Sequence, residues 1–215
     1  MDFTLTIQAC VVGMVLAAFL MAGRMRLASL AALYAVQAAL LALAIAAYAV
    51  LHADSAAYAV AAAVFILKAG LIPRWLVRTV RAHGASERLA AYAKPTLLSF
   101  GALLAIAFAG IVARTLAATA GAPYVALASS VSLVLIGFLM LISRTDMMGL
   151  GFGFLVVENG VFTLGLALTG GMPLFVELGV LFDLSVLLLL LIAFARRAQR
   201  EHASLATDYL RELIG

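Results

Sequence analysis

The sequence predicts an all-α, polytopic membrane protein with seven transmembrane helices, and three observations carry that prediction. Hydrophobic residues fill 67% of the 215 positions and charged residues only 11%, at a mean hydropathy of +1.19. A soluble core of this length could not hide so much apolar surface, so lipid must cover it. The apolar residues also fall into runs close to the ~20 needed to cross about 30 Å of hydrocarbon. Finally, these runs use up most of the chain and leave no room for a soluble domain.

Span 1 (4–23) holds the single cysteine, Cys10, which excludes a disulfide framework and a cysteine-held cluster. Met1–Ala22 has no basic residue and carries Asp2, unlike the positive leading region of a cleaved signal peptide. Arg24 and Arg26 follow span 1. Span 2 (28–50) ends at the loop HADS. Span 3 (56–77) gives way to Arg74, Arg78, Arg81, Arg88 and Lys94. Span 4 (96–119) ends at TAGAPY, span 5 (124–143) at SRTD with Arg144, and span 6 (148–169) at TGGM. Arg196, Arg197, Arg200 and Arg211 follow span 7 (173–195). The basic segments all fall on one side, and the alternate loops contain no Lys or Arg. By the positive-inside rule the N-terminus is outside and the C-terminus cytoplasmic. Of the fourteen basic residues only Lys68 and Arg114 break the pattern, both within spans. The net charge of +4 therefore reports topology and does not argue for nucleic acid.

The spans are organised as three, one and three. Spans 2–3 can be laid over spans 6–7 with Gln37 aligned to Glu158 and Lys68 to Asp183. Two parallel three-helix units related by an axis along the membrane normal need one helix between them. The division is then 1–95 for the first unit with its basic loop, 96–123 for the linking helix, 124–197 for the second unit, and 198–215 for a cytoplasmic tail. Between spans 3 and 4, Leu89 and Tyr92 suit the membrane face of a short interfacial helix, with Arg81, Glu87, Arg88 and Lys94 toward water. In the tail, Leu205, Tyr209, Leu210 and Leu213 recur at helical spacing, which fits a segment lying on the bilayer or a solvated end.

Polar residues within the spans carry the functional argument. A charged carboxylate near the bilayer midplane costs roughly 2.5–3.5 kcal/mol even on the gentlest insertion scale. Desolvation disfavours the charged form, so Glu158 and Asp183 are most simply kept as neutral acids that trade protons with a neighbour. Lys68, about ten residues from either end of its span, is too deep for easy snorkelling. A lysine there is neutral when isolated and charged when a carboxylate is near. Separated by ~10 Å, such groups couple enough for a proton arriving on one helix to eject one from the next. On this reading Glu158, Asp183 and Lys68 are proton-relay residues, and neutralising either acid should leave stability unchanged or higher. Gln37 and Asn159 are supporting polar groups, and His52, Arg114 and Glu177 are candidate path ends near the outer surface. Packing also explains Gln37 and Asn159, snorkelling explains Arg114, and ordinary solvation explains His52 and Glu177. The glycines at 149, 151, 153, 160 and 165 let helices approach closely. No phosphate-binding loop, nucleophile triad or His/Cys metal-ligand cluster is present in the sequence, so no catalytic, cofactor or metal residue is expected.

GLGFGFLVVENGVFTLGLAL, then FVELGVLFDLSVLLLLLIAFARR, then the closing LRELIG resemble component E of hydrogenase-4-type complexes. In that family a seven-helix subunit ends in a three-helix unit similar to the small K subunit of respiratory complex I. Glu158–Asn159 match its Glu-Asn pair in the penultimate helix. Asp183 matches its Asp in the last helix, where the K subunit carries Glu. Lys68 and Pro73 match its lysine and following proline in the third helix. The resemblance covers essentially the whole chain and is most specific over 148–215. It implies a subunit of a group 4 membrane-bound [NiFe] hydrogenase or formate-hydrogenlyase-like assembly in a bacterial inner membrane. Implied partners are large antiporter-like subunits, a channel-like membrane subunit and a peripheral hydrogenase arm that carries the iron–sulfur clusters and the [NiFe] centre. Two other readings fit the residues: a small subunit of a multi-subunit cation/proton antiporter, and a passive membrane scaffold.

Overall fold

A computed structural model of the protein describes residues 3–82 and 89–169. These are all-helical, with no strand among them. The helices are α1 (Phe3–Ala22), α2 (Leu27–His52), α3 (Ser55–Val64), a π segment (Phe65–Leu71), α4 (Ile72–Ala82), α5 (Pro95–Ala120), α6 (Tyr124–Ser143) and α7 (Met147–Thr169). Among the described residues six helices are long and apolar enough to cross a membrane, the third being the continuous rod from α3 into α4. They reproduce the first six expected spans to within a few residues. The seventh span, with Glu177 and Asp183, and the tail lie outside the described residues.

Ordinary cap chemistry fixes the helix ends. Asp54 accepts hydrogen bonds from the amides of Ala56 (2.9 Å) and Ala57 (3.3 Å), so HADS is an N-cap at the start of α3. Ala53 before it adopts a left-handed φ of 52° to close α2. Pro95 opens α5, where its missing N–H costs nothing. Gly121, at φ 64°, closes it, its backbone N–H donating a hydrogen bond to the Ala117 carbonyl. Asp146 serves α7: its Oδ1 accepts from the Gly149 amide at 2.6 Å.

Packing places α1, α2, α6 and α7 at the centre. The rod α3–π–α4 lies against α2, and α5 lies against α6 and α1. Lipid tails are as apolar as leucine, so association here rests on close backbone approach and interhelical hydrogen bonds rather than on hydrophobic burial. The α6–α7 seam shows the first device. A Cβ at Gly160 would lie 2.8 Å from the Val134 amide nitrogen, and one at Gly137 would lie 2.7 Å from that of Val157. Gly153 faces the Leu141 amide at 3.1 Å. Gly149 instead makes room for the Arg144 and Asp146 side chains. Outward-facing positions such as Ile66, Phe108, Ile111 and Ile142 are exposed and apolar, as a lipid-facing surface requires.

At the basic end the segment 89–94 differs from expectation. It is not an interfacial helix, and Ala91 instead forms an isolated antiparallel bridge with Arg144. Leu89 is buried and its amide donates to the Met25 carbonyl at 2.8 Å. Ala90 donates to Asp146 Oδ2 at 3.0 Å, and Tyr92 to the Ser143 carbonyl at 2.9 Å. Backbone pairing with two loops outcompetes the short amphipathic pattern, whose helical spacing is only a local preference. Tyr92 is left 85% exposed.

Arg144, read from the sequence only as part of the basic turn between spans 5 and 6, has structural partners as well. It is buried, and its Nη2 donates to the carbonyls of Met21 (3.3 Å), Ala22 (3.2 Å) and Arg24 (2.6 Å). The Ala22 carbonyl ends α1 without an intrahelical donor, the Met21 carbonyl also accepts from the Arg24 amide at 3.1 Å, and the positive guanidinium complements that end of the helix dipole. Burial pulls the Arg144 pKa below its ordinary value and nearby Asp146 partly offsets this, yet a guanidinium remains charged. Arg144→Met should therefore lower stability by about 2–3 kcal/mol by stranding buried carbonyls. Arg144→Lys should recover only part of it, because an ammonium lacks the planar fork. The unfolding transition of the detergent-solubilised chain, followed by the fluorescence of Trp75, measures both; equal stability of all three proteins would refute the capping role.

Candidate functional site

Midway along the central helices lies a connected group of buried polar side chains. Lys68, at the centre of the π segment, donates from Nζ to Glu158 Oε1 on α7 at 2.7 Å. It also donates to Asn159 Oδ1 at 3.0 Å. Asn159 Nδ2 donates to Gln37 Oε1 on α2 at 3.2 Å. Gln37 Nε2 in turn donates to the Met14 carbonyl on α1 at 3.2 Å. Thr163 Oγ1 closes one side, donating to the Asn159 carbonyl at 2.7 Å. Lys68 is 2% exposed, Glu158 4%, and Gln37 and Asn159 0%, so water does not compete for these bonds. One chain of donors thus runs through elements from four parts of the sequence.

Helical geometry explains the convergence. Glu158 and Asn159 are adjacent on α7, and Thr163 lies one turn beyond Asn159 on the same face. Gln37 lies one turn from the buried Tyr34, whose ring meets Phe152 of α7 edge-on at a centroid distance of 5.8 Å. Lys68 owes its place to a backbone irregularity. Pro73 has no N–H and its ring clashes with the carbonyl four residues back, so an ordinary helix is disfavoured just before it. The chain widens into a π turn, with the Ile72 amide bonding the Leu67 carbonyl.

The pair is more intimate than expected. Lys68 and Glu158 are in direct contact rather than ~10 Å apart, and one proton moving from Nζ to Oε1 would convert ammonium–carboxylate into amine–carboxylic acid with no change of net charge. Both states are neutral overall, which suits a medium where an isolated charge is costly. Gln37 and Asn159 are bound into the pair, beyond mere packing, but amides do not titrate. They orient Lys68 and end the titratable chain on the α1–α2 side. Because of this contact, neutralising Glu158 takes a carboxylate partner from Lys68, so a loss of stability is predicted in place of the unchanged or higher stability expected from the sequence. The two remaining described path candidates lie at the periphery. His52 is exposed at the end of α2, with its ring stacked on Tyr48 at 4.0 Å. Arg114 is exposed on α5.

Sequence reading assigns no part in these contacts to Arg144, Thr163 or Tyr34. Thr163 and Tyr34 carry a recognisable signal, being polar groups one helical turn from Asn159 and Gln37. Arg144 carries none, since its carbonyl partners are some 120 residues away.

Compared with known proteins, the chain is 31% identical over 215 residues to the uncharacterized protein Rv0085 of Mycobacterium tuberculosis, an alignment covering 99% of this chain and 97% of that relative. This chain belongs to the Rv0085 family. No family model and no solved structure matches it. The full-length similarity means that the helices carrying Gln37, Lys68 and Glu158 all lie within the shared region.

Proposed function

We propose that this protein is a membrane subunit of a complex I-like, group 4 [NiFe] hydrogenase-type assembly in a bacterial inner membrane, and that it contributes buried ionisable groups to a proton (or sodium) path. Electron transfer, with its iron–sulfur clusters and [NiFe] centre, belongs to the partner subunits: antiporter-like chains, a channel-like chain and the peripheral arm. The N-terminus lies outside and the C-terminus in the cytoplasm. The seventh helix carries Asp183, and spans 1–3 and 5–7 form parallel units joined by the fourth.

One observation carries the reading: a lysine and a glutamate held at 2.7 Å midway along apolar helices, both buried. Intramembrane ionisable groups are functional by default because they are costly to insert. Adding a proton to this pair leaves one positive charge and removing one leaves one negative charge, so exchange with the surroundings needs a companion group. Asp183 is assigned that role, taking or giving the compensating proton from the neighbouring helix. The same self-neutralised contact also favours a second reading, a passive scaffold in which the pair merely fixes helix register.

The discriminating variant replaces both partners, Lys68→Met with Glu158→Leu, so that no buried charge is stranded and assembly persists. In vesicles containing the assembled complex, electron transfer with artificial donors should survive while acidification per turnover falls at least severalfold. Asp183→Asn should act similarly. Unchanged coupling in both would leave the scaffold reading. The chains that co-purify in mild detergent test the assembly itself: a nickel-binding subunit with paired cysteines is expected, and an antiporter complex without one would redirect the assignment.

A further inference from the structure

We propose that Pro73 is a positioning residue that sets the π register of Phe65–Leu71, and that exchange of this segment between π and α registers is the motion that makes and breaks the Lys68–Glu158 contact. The inference rests on the proposed role of that pair and adds a mechanical element to it. The seven-residue π segment has Lys68 at its centre. An i→i+5 turn is intrinsically less favourable than an α turn and is found mostly as a single turn inside α-helices. Here the favourable ion pair on one side and Pro73 on the other hold it in place.

The geometry makes the contact sensitive to register. Successive residues of an α-helix are about 100° apart around the axis, so a shift by one residue carries Lys68 to the azimuth of a neighbour. Leu67, on one side, is 41% exposed, whereas Lys68 is 2% exposed. A lysine at the Leu67 azimuth points away from α7 and cannot reach Glu158 or Asn159. Gly70 lies within the same segment and gives it little intrinsic helix preference. A Cβ there would meet only the flexible end of Arg74, at 3.2 Å from Nη1, and the Phe65 carbonyl at an ordinary 3.7 Å, so tight packing does not explain the glycine. The rod is therefore soft at one place, and that place bears its buried charge. A register shift would release Lys68 and Glu158 as separate groups, each able to meet a different proton partner, and the return shift would re-form the pair.

The chain has two lysines, Lys68 and Lys94. In a Lys94→Arg background Lys68 is the one ε-amine, so its release is read directly in nanodiscs by its rate of modification with membrane-permeant phenyl isothiocyanate. Amide hydrogen exchange over residues 65–72, read by mass spectrometry, reports the register. Pro73→Ala restores an amide donor and favours the α register; it should slow exchange in this stretch about tenfold or more and raise Lys68 modification severalfold. Gly70→Ala should move both readouts in the same direction by a smaller factor. Glu158→Gln removes the ion pair but keeps Pro73, so modification should rise while exchange slows less than in Pro73→Ala. Pro73→Ala is not expected to impair folding, because alanine is the better helix former. If it leaves both readouts unchanged, or raises modification without slowing exchange, Pro73 does not position Lys68 through the π turn. Neither readout depends on ion translocation, so this inference can fail while the proton-path reading stands, and the converse also holds.

Discussion

Glu158→Gln should lower the stability of the detergent-solubilised chain by about 3–5 kcal/mol, the range found when one partner of a buried ion pair is removed. The cause is the partner left behind. The substituted amide can accept a hydrogen bond but brings no charge, so the buried Lys68 loses the carboxylate held 2.7 Å from its Nζ. Lys68→Met should cost a similar amount for the mirror-image reason, stranding a carboxylate. The double variant Lys68→Met/Glu158→Leu should recover much of the loss, because two apolar side chains of similar volume need no partner and the remaining cost is the Lys68 donor lost by Asn159 Oδ1. The coupling energy from this double-mutant cycle, measured by unfolding in mixed micelles and followed through Trp75, should therefore be large and favourable. Single variants as stable as the parent would mean that the pair stores no charge, and the neutral amine–acid form would then be the resting state.

Gly160→Leu should be at least as damaging, for a steric reason. A Cβ at Gly160 already lies 2.8 Å from the Val134 amide nitrogen and 2.9 Å from the Leu133 Cβ, neither of which is the free end of a side chain. The α6–α7 seam must open, and with it goes the position of Glu158 and Asn159 just before it on α7. Overpacking a tight interior typically costs about 1–3 kcal/mol; a leucine against backbone should exceed that range and abolish a stable fold at ordinary growth temperature. Gly137→Ala, whose Cβ would meet the Val157 amide nitrogen at 2.7 Å, should cost about 1–3 kcal/mol. Gly13→Ala is the control. There the added methyl meets only the Leu40 side chain, at 3.0 Å from its nearest methyl, and the leucine can turn aside. Yield of monodisperse protein and the unfolding midpoint rank the three; a Gly13 variant as poor as the Gly160 variant would refute backbone approach as the cause of the order, since alanine and leucine are both better helix formers than glycine.

Much of this architecture is written in the sequence. The positions of the six long apolar helices follow from apolar runs, since each run must be a helix to satisfy its backbone in a dry medium. Lys68 and Glu158 stand out because a charge inside such a run has few structural justifications, and the glycines of GLGFGF and ENG advertise a close approach. All of that is local information: composition, spacing and the cost of burying charge. What pairs with what is not local. That Lys68 meets Glu158 directly, that Asn159 and Gln37 extend the contact to α1, and that Arg144 caps a helix begun at residue 3 depend on which helices become neighbours. The π turn depends on a balance between a proline that disfavours an α turn and an ion pair that rewards a wider one. Hydropathy acts residue by residue, so the chain alone determined its helices and nominated its charges. Tertiary structure alone chose their partners, because a hydrogen bond between residues 90 apart is decided by packing.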